Sequence, residues 1–569
     1  MLKNLVYKIL PVAVAALLAA GCATYNAHAA VPDEAAASPE LDGDLLYQLL
    51  AGEFAGRRGD MAQASDFYLQ AASQTTDPRV ASRAAYILLY AGRYQEVFEA
   101  TDRWQALDGE SARDDITRVN IIALLHLGKV DEVVHELGSV LLENGNIKDA
   151  AISETSHTLQ KEASPQVAVA VLRQLDQQYP QQLRLMLLRA RYEINDERLD
   201  VAEKLVDDVI ATQPETSDAW LIKAQILAAR QNEPAAIDAV AKAVGLRSGD
   251  VQLRLQYARM LVQNKDYTNA WQQFNILYEK MPADADVLLS LGLLSIEIGK
   301  VDVANEHLQN LIDKGYHSSQ AHYYLGRIQQ AQNKPVVAIA NYEHVTQGEY
   351  YLDAHIRAAG LLASTGEVDQ AMQQLQGLLK AGDNNQDVRL YLAQGEVLRN
   401  AERNKEALNI YNNALKKSPE NTDLLYARAL TAEKLNMLDV AESDLRLVLT
   451  HEPENVNALN ALGYTLAEHS QRLQEAKDFI LKAIELMPND PSVLDSLGWV
   501  YYRLGEYTES VRWLRQAFAQ YEDAEIAAHL GEVLWVSGNT DEAGKVWKRG
   551  ISLRANHPVL VETMKRFNQ

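Results

Sequence analysis

A 34-residue rhythm runs through most of this chain and constrains its fold more than any other feature. Small residues recur at one fixed slot: Ala190, Ala224, Ala258, Gly292 and Gly326, each 34 after the last. A second slot repeats in step, with Ala202, Ala236, Ala270, Ala304 and Ala338. Two small residues per period mean two helices per unit whose backbones meet closely at those points, because a larger side chain would hold them apart. One such pair cannot bury its apolar face alone and must stack on the next. The rhythm predicts an all-α, right-handed solenoid of about 15 helix–turn–helix units, which narrows function to recognition over a long surface.

The pattern is plainest at Leu494-Asp495-Ser496-Leu497-Gly498-Trp499-Val500-Tyr501, continued by Gly505, Ser510, Leu514 and Ala517. Its second half recurs upstream as Ala476, Ile480, Ala483 and Pro488, as Ala441, Leu445 and Pro453, and as Ala407, Tyr411, Ala414 and Pro419. On these residues the chain resembles the tetratricopeptide repeat family, with units opening near Leu45, Pro78, Asp114, Asp149, Leu183, Ser217, Val251, Ala285, Ser319, Leu352, Val388, Thr422, Val456, Pro491 and Ala524. The expected division is repeats over 45–557 and a capping helix in 558–569, from about Pro558 to Phe567. Two places depart from the rhythm. The stretch Gly145–Pro180 lacks the small residue of its first helix, Ser156 being the nearest, so its boundaries stay open. Gly463 and Ala476 stand 13 apart where other units show 12, which puts one extra residue in the turn His469–Arg472. Trp513 and Trp547 fall in second-helix slots and are assigned to the core.

The N-terminus indicates where such a solenoid resides. Lys3 and Lys8 precede an apolar stretch from Ile9 to Ala20, too short to span a bilayer as a finished helix. Leu18-Ala19-Ala20-Gly21-Cys22 resembles the bacterial lipobox, with Ala19 where Leu is commonest. Cys22 is the one cysteine of the chain, and an exported chain that keeps a single thiol there most simply uses it for a lipid. The expectation is a lipoprotein signal peptide over 1–21 and acylation of Cys22 with diacylglycerol and a fatty acyl chain, with no other cofactor. Residues 22–44 then form a lipidated tether. Its body, Ala23–Asp42, is rich in Ala, Pro and acid, without helical or strand period, and would span roughly 25 Å as a random coil. Ala23 in place of Asp after the cysteine implies, in this class of signal, the outer membrane and a periplasmic solenoid.

Composition disfavours nucleic acid. The chain carries 54 Lys and Arg against 77 Asp and Glu, and residues 1–21 hold two of the cations and no acid. No basic stripe of the size a polyphosphate needs is present. Six cations do gather from Lys545 onward (Lys545, Lys548, Arg549, Arg554, Lys565 and Arg566) against the single acid Glu562. They read as an acid-binding cap or as a solvated face complementing helix C-termini. Catalytic parts are absent from the sequence: no Ser or Cys nucleophile motif, zinc-protease helix or phosphate-cradling glycine loop occurs. The nearest constellation is His307, His317, His322, His344 and His355; no Asp or Cys recurs beside it, so no metal is expected.

In tetratricopeptide arrays the fifth, ninth and twelfth residues of a unit tend to line the concave groove. The resemblance thus places Leu187, Leu221, Leu255, Leu289, Tyr323, Ile356, Leu392 and Tyr426 there, and toward the C-terminus Asn460, Tyr464, Asp495, Trp499, Tyr502, Glu532 and Trp535. The candidate protein-binding residues are Tyr323, Tyr426, Tyr464, Trp499, Tyr502 and Trp535, since aromatic rings bury large area at low rotamer cost. Packing against the neighbouring unit is the competing role for each. Anchor, tether and repeats together resemble the tetratricopeptide outer-membrane lipoproteins of Gram-negative bacteria, of the LbcA type and functionally like NlpI. That resemblance implies an adaptor binding a periplasmic carboxy-terminal processing protease and its peptidoglycan hydrolase substrates. An assembly scaffold, as in secretin pilotins or polysaccharide export, and a regulator of cell-wall synthesis stay open, as does homo-oligomerisation.

Overall fold

In the computed structural model, residues 43–143, 146–379, 384–470 and 472–567 are described. Residues 1–42, with the expected signal peptide, Cys22 and most of the tether, lie outside them. Contacts divide the chain at Arg247/Ser248 into two compact units. Each consists of helical hairpins in sequence order, Gly43–Arg57 with Met61–Gln74 at one end and Ala524–Val536 with Thr540–Leu553 at the other, followed by Pro558–Arg566. Among the described residues the sole extended element is a two-residue antiparallel ladder, Leu142 with Ile147 and Glu143 with Asn146, at the start of the degenerate stretch.

The two small-residue slots lie where the helices cross. Ala190, Ala258, Ala202, Ala270, Ala304 and Ala338 are fully buried. Where the first-helix slot is glycine, the residue 16 positions later fills the notch. A methyl group on Gly326 would sit 2.6 Å from the Tyr342 ring, one on Gly498 2.5 Å from Leu514, and one on Gly292 3.0 Å from Leu308. Gly395 receives Tyr411 and Gly531 receives Trp547 more tightly still. Gly463 receives Ile480, one position later than the rule, as the extra turn residue requires. Trp547 is fully buried, as assigned. Trp513 is a correction: it is only partly buried, at the edge of the core, with the Arg512 guanidinium 5.2 Å from its ring.

Helix starts are capped locally. Asp250, Asp284, Asn421 and Asn455 each accept a hydrogen bond from the amide three residues on, at 3.0, 2.9, 2.9 and 3.0 Å. Asp490 does the same ahead of Pro491, whose missing N–H falls where no partner is needed. In five successive hairpins the turn holds a left-handed residue: Glu197, Gln231, Lys265, Gly299 and Asn333, each 34 after the last, all have φ between 56° and 74°.

The degenerate stretch folds as two helices, Asp149–Glu162 and Pro165–Gln178. Without a small residue opposite, Pro165–Gln178 does not lie along Asp149–Glu162. It packs instead on Val130–Leu141 and Leu183–Asn195. The close approach has moved to Gly138, where an added methyl would meet the Tyr179 hydroxyl at 2.5 Å.

Candidate functional site

The residues expected to line a C-terminal groove sit on the first helices of three successive hairpins, Val456–His469, Pro491–Arg503 and Ala524–Val536. Their spacing of one repeat brings equivalent slots face to face. Asp495 and His529 meet this way, with Nδ1 2.9 and 3.1 Å from the two carboxylate oxygens and both residues buried. Burial alone would discharge the imidazole, but Asp495, Glu525 and Glu532 outweigh it and push the His529 pKa up to about 9. The Trp499 ring lies 4.3 Å from His529 and 5.0 Å from Tyr502, and Tyr464 lies 6.2 Å from His529.

Hydrogen bonds lock these rings. Trp499 Nε1 donates to Glu468 Oε2 at 2.7 Å, and Arg503 donates to the Glu468 carbonyl at 2.7 Å. Tyr502 Oη donates to Glu532 Oε1 at 3.1 Å. Glu532, itself buried, also accepts from Arg566 of the last helix at 2.7 Å. Burial raises the Tyr464 and Tyr502 hydroxyls well above the usual phenol range, with Glu532 adding to the shift of Tyr502.

The other expected site residues lie as follows. Trp535 is partly exposed, stacks on Trp547 at 5.6 Å and lies tilted against Phe567 at 6.0 Å. Tyr323 is buried, stacked on Tyr350 at 4.4 Å, and donates to Asp353 at 2.8 Å. Tyr426 is partly buried against the core. Trp499 is 6% exposed. The structure brings Tyr464, Trp499 and Tyr502 together; Trp535 packs on the cap, and Tyr323 and Tyr426 lie elsewhere in the unit. His529, the centre of the cluster, was missed by the sequence reading, although its 34-residue spacing from Asp495 was the signal. The basic C-terminus is in part internally neutralised, since Arg566 holds Glu532 and Arg549 holds Glu522.

The histidine constellation is engaged separately. His322 bonds Asn341 at 3.0 Å and stacks on His344, His355 bonds the Val345 carbonyl, and His307 packs on Tyr278. Among the described residues no group of three or more His, Cys, Asp and Glu is placed to hold a metal ion, and no helix is long and apolar enough to cross a membrane.

Helical hairpins locked by one-repeat side-chain pairs define a repeat scaffold for protein–protein interaction. The tetratricopeptide repeat family profile matches residues 187–251, 289–351, 392–448 and 496–558. A tetratricopeptide repeat-containing protein of Pseudomonas aeruginosa is 34% identical over 510 residues, covering 88% of this chain and 84% of that one. The chain belongs to the tetratricopeptide repeat family. Among solved structures, yeast Tom70 aligns over 92% of this chain and 94% of its own at 15% identity and a TM-score of 0.36. The Naa15/Naa10 complex bound to HypK-THB aligns over 74% and 73% at 16% identity and a TM-score of 0.40.

Proposed function

We propose that the chain is an outer-membrane-anchored periplasmic scaffold, not itself an enzyme, that holds a carboxy-terminal processing protease beside its peptidoglycan hydrolase substrates. The observation that carries this reading is the lone Cys22, in a lipobox-like setting, ahead of a long repeat array. Acylation there would fix the array to the outer membrane, and the tether would let it stand off and reorient. Two ligands held on one scaffold meet at roughly millimolar effective concentration, so cleavage is directed without any catalytic group in the scaffold. The partly exposed Tyr502 and Trp535 supply the kind of aromatic anchor that protein interfaces use.

The test is affinity capture of the tagged chain from detergent-solubilised envelopes, with co-purifying proteins identified by mass spectrometry. A processing protease together with peptidoglycan hydrolases is the expected result. Recovery of a secretin, of polysaccharide-export components or of cell-wall synthases in their place would overturn it.

A further inference from the structure

Gly360 stands where the fold gives no reason for a glycine. It lies inside the helix Tyr351–Ser364, beside the small-residue slot held by Ala359, and an added methyl there would meet nothing within 4 Å. Gly292, Gly326 and Gly395, by contrast, each receive a side chain from the helix that follows. A glycine inside a helix is destabilising, because it loses more backbone freedom on folding than any other residue. The space its missing side chain leaves open is part of a cleft of about 610 Å³, lined from the helices Ser318–Ala331, Tyr351–Ser364 and Asn384–Asn400. That volume lies within the range of ligand-binding clefts, roughly 300–1,000 Å³. The site is independent of the protease reading.

Ala363, Ala393 and Val397 line the apolar part of the cleft, and the exposed Ser364, Glu396 and Asn400 edge it. Gly360 and Ser364 hold the same slots of their unit as Glu396 and Asn400 do 36 residues on. The missing side chain is thus the one that would stand beside Glu396. Ser364 Oγ donates to the Leu361 carbonyl at 2.7 Å, so toward the cleft it accepts. Three charged residues line the cleft: Asp353, Arg357 and Glu396. Arg357 Nε donates to Asp353 at 2.6 Å, and Tyr323 donates to the same carboxylate at 2.8 Å. Arg389, two turns from Glu396 on its helix, also lies 3.6 Å from Asp353. Those groups answer one another. Glu396 has neither a hydrogen bond nor an ion pair among the described residues.

We infer that this cleft takes an arginine side chain presented by a segment of a partner protein, with the guanidinium on Glu396 and the methylene stem along Ala363, Ala393 and Val397. An apolar wall edged by a carboxylate, an amide and an accepting hydroxyl is the chemical complement of that side chain, whose stem is apolar and whose head carries only donors. The planar guanidinium can bond the Glu396 carboxylate through two donors at once and still reach Ser364 or Asn400; a lysine ammonium meets a carboxylate as a point charge. A chain of net charge −23 also favours the approach of a basic segment.

The test uses the full chain in detergent and fluorescein-labelled, end-blocked Ala-Val-Arg-Val-Ala, with counterparts carrying lysine or citrulline, the neutral isostere, in place of the arginine. Fluorescence anisotropy should show the arginine peptide binding about tenfold or more tighter than the citrulline peptide, with lysine between them. Glu396→Gln should remove the preference for arginine over citrulline. Gly360→Leu, which fills the cleft from an open position, should weaken all three peptides while the melting temperature followed by circular dichroism holds or rises. Equal affinity for the arginine and citrulline peptides, failure of either to bind, or Glu396→Gln binding like the unaltered chain would overturn the inference. So would a lysine peptide that binds as tightly as the arginine one, or a Gly360→Leu chain that melts lower, since the glycine would then serve the fold.

Discussion

His529 and Asp495, 34 residues and one repeat apart, close into a buried ion pair with Nδ1 2.9 Å from Oδ2. The pair ties two successive hairpins together, with the Trp499 ring packed 4.3 Å from His529. Breaking a buried pair by removing one partner typically costs about 3–5 kcal/mol, because the remaining charge is left uncompensated.

The pair makes stability depend on pH in a defined direction. The His529 pKa rises from 6.5 to about 9 on folding, under Asp495, Glu525 and Glu532 and against burial among Trp499 and Tyr464. The folded protein thus holds the proton more tightly, and the stabilisation is complete below about pH 6.5 and lost as pH rises through about 9. Denaturation midpoints between about pH 6 and pH 10 should fall on the alkaline side, by an amount on the order of 3 kcal/mol. His529→Gln should flatten that slope. An unchanged slope in the variant would show that other groups govern it.

Notch and knob form the second relationship open to test. Gly531→Ala would drive a methyl into the Trp547 ring, and overpacking of this kind costs about 1–3 kcal/mol. Pairing it with Trp547→Leu should recover part of the loss, since the smaller knob clears the methyl. Urea denaturation of the two single variants and the double variant measures the coupling. Additive costs would contradict direct contact.

The turns predict a gain. Gln231 and Lys265 hold φ near 60° without being glycine, a conformation costing side-chain-bearing residues about 1–2 kcal/mol. Gln231→Gly and Lys265→Gly should each stabilise the chain by about 1 kcal/mol, less what glycine loses in unfolded-state entropy. Thermal melts that move downward would contradict this account of the turn.

Much of this architecture was legible because it repeats. Ala190 through Gly326 mark where backbones touch, and a period that survives degeneration elsewhere locates nearly every hairpin. The notch of the degenerate stretch was not legible, since Gly138 and Tyr179 stand 41 apart and obey no repeat spacing. The candidate site was legible in position and less so in exposure. Sequence spacing puts Trp499 on the first helix of its hairpin; only the packed neighbours reveal that Glu468 and His529 bury it. Arg566 likewise reads as a surface cation until Glu532 is found, buried, beneath it.

Partner binding should respond differently to rings and charges. Tyr502→Ala removes a partly buried anchor and should accelerate dissociation, with a loss on the order of 2 kcal/mol or roughly thirtyfold in affinity. Lys565→Ala, at an exposed position, should mainly slow association at low salt. Surface plasmon resonance separates the two rates. Because Tyr502 also bonds Glu532, its variant is compared by circular dichroism first. A folded Tyr502→Ala chain that keeps full affinity would exclude this groove as the docking surface.

Degradation of a peptidoglycan hydrolase by the carboxy-terminal processing protease, timed on outer-membrane vesicles with and without the chain, tests the scaffold most directly. The account predicts that the lipidated chain accelerates cleavage by at least tenfold, given millimolar effective concentration. It predicts that the chain alone cleaves nothing, and that Cys22→Ser abolishes the acceleration at the vesicle surface. An unchanged rate in the presence of the lipidated chain, or hydrolysis by the chain without the protease, would contradict it.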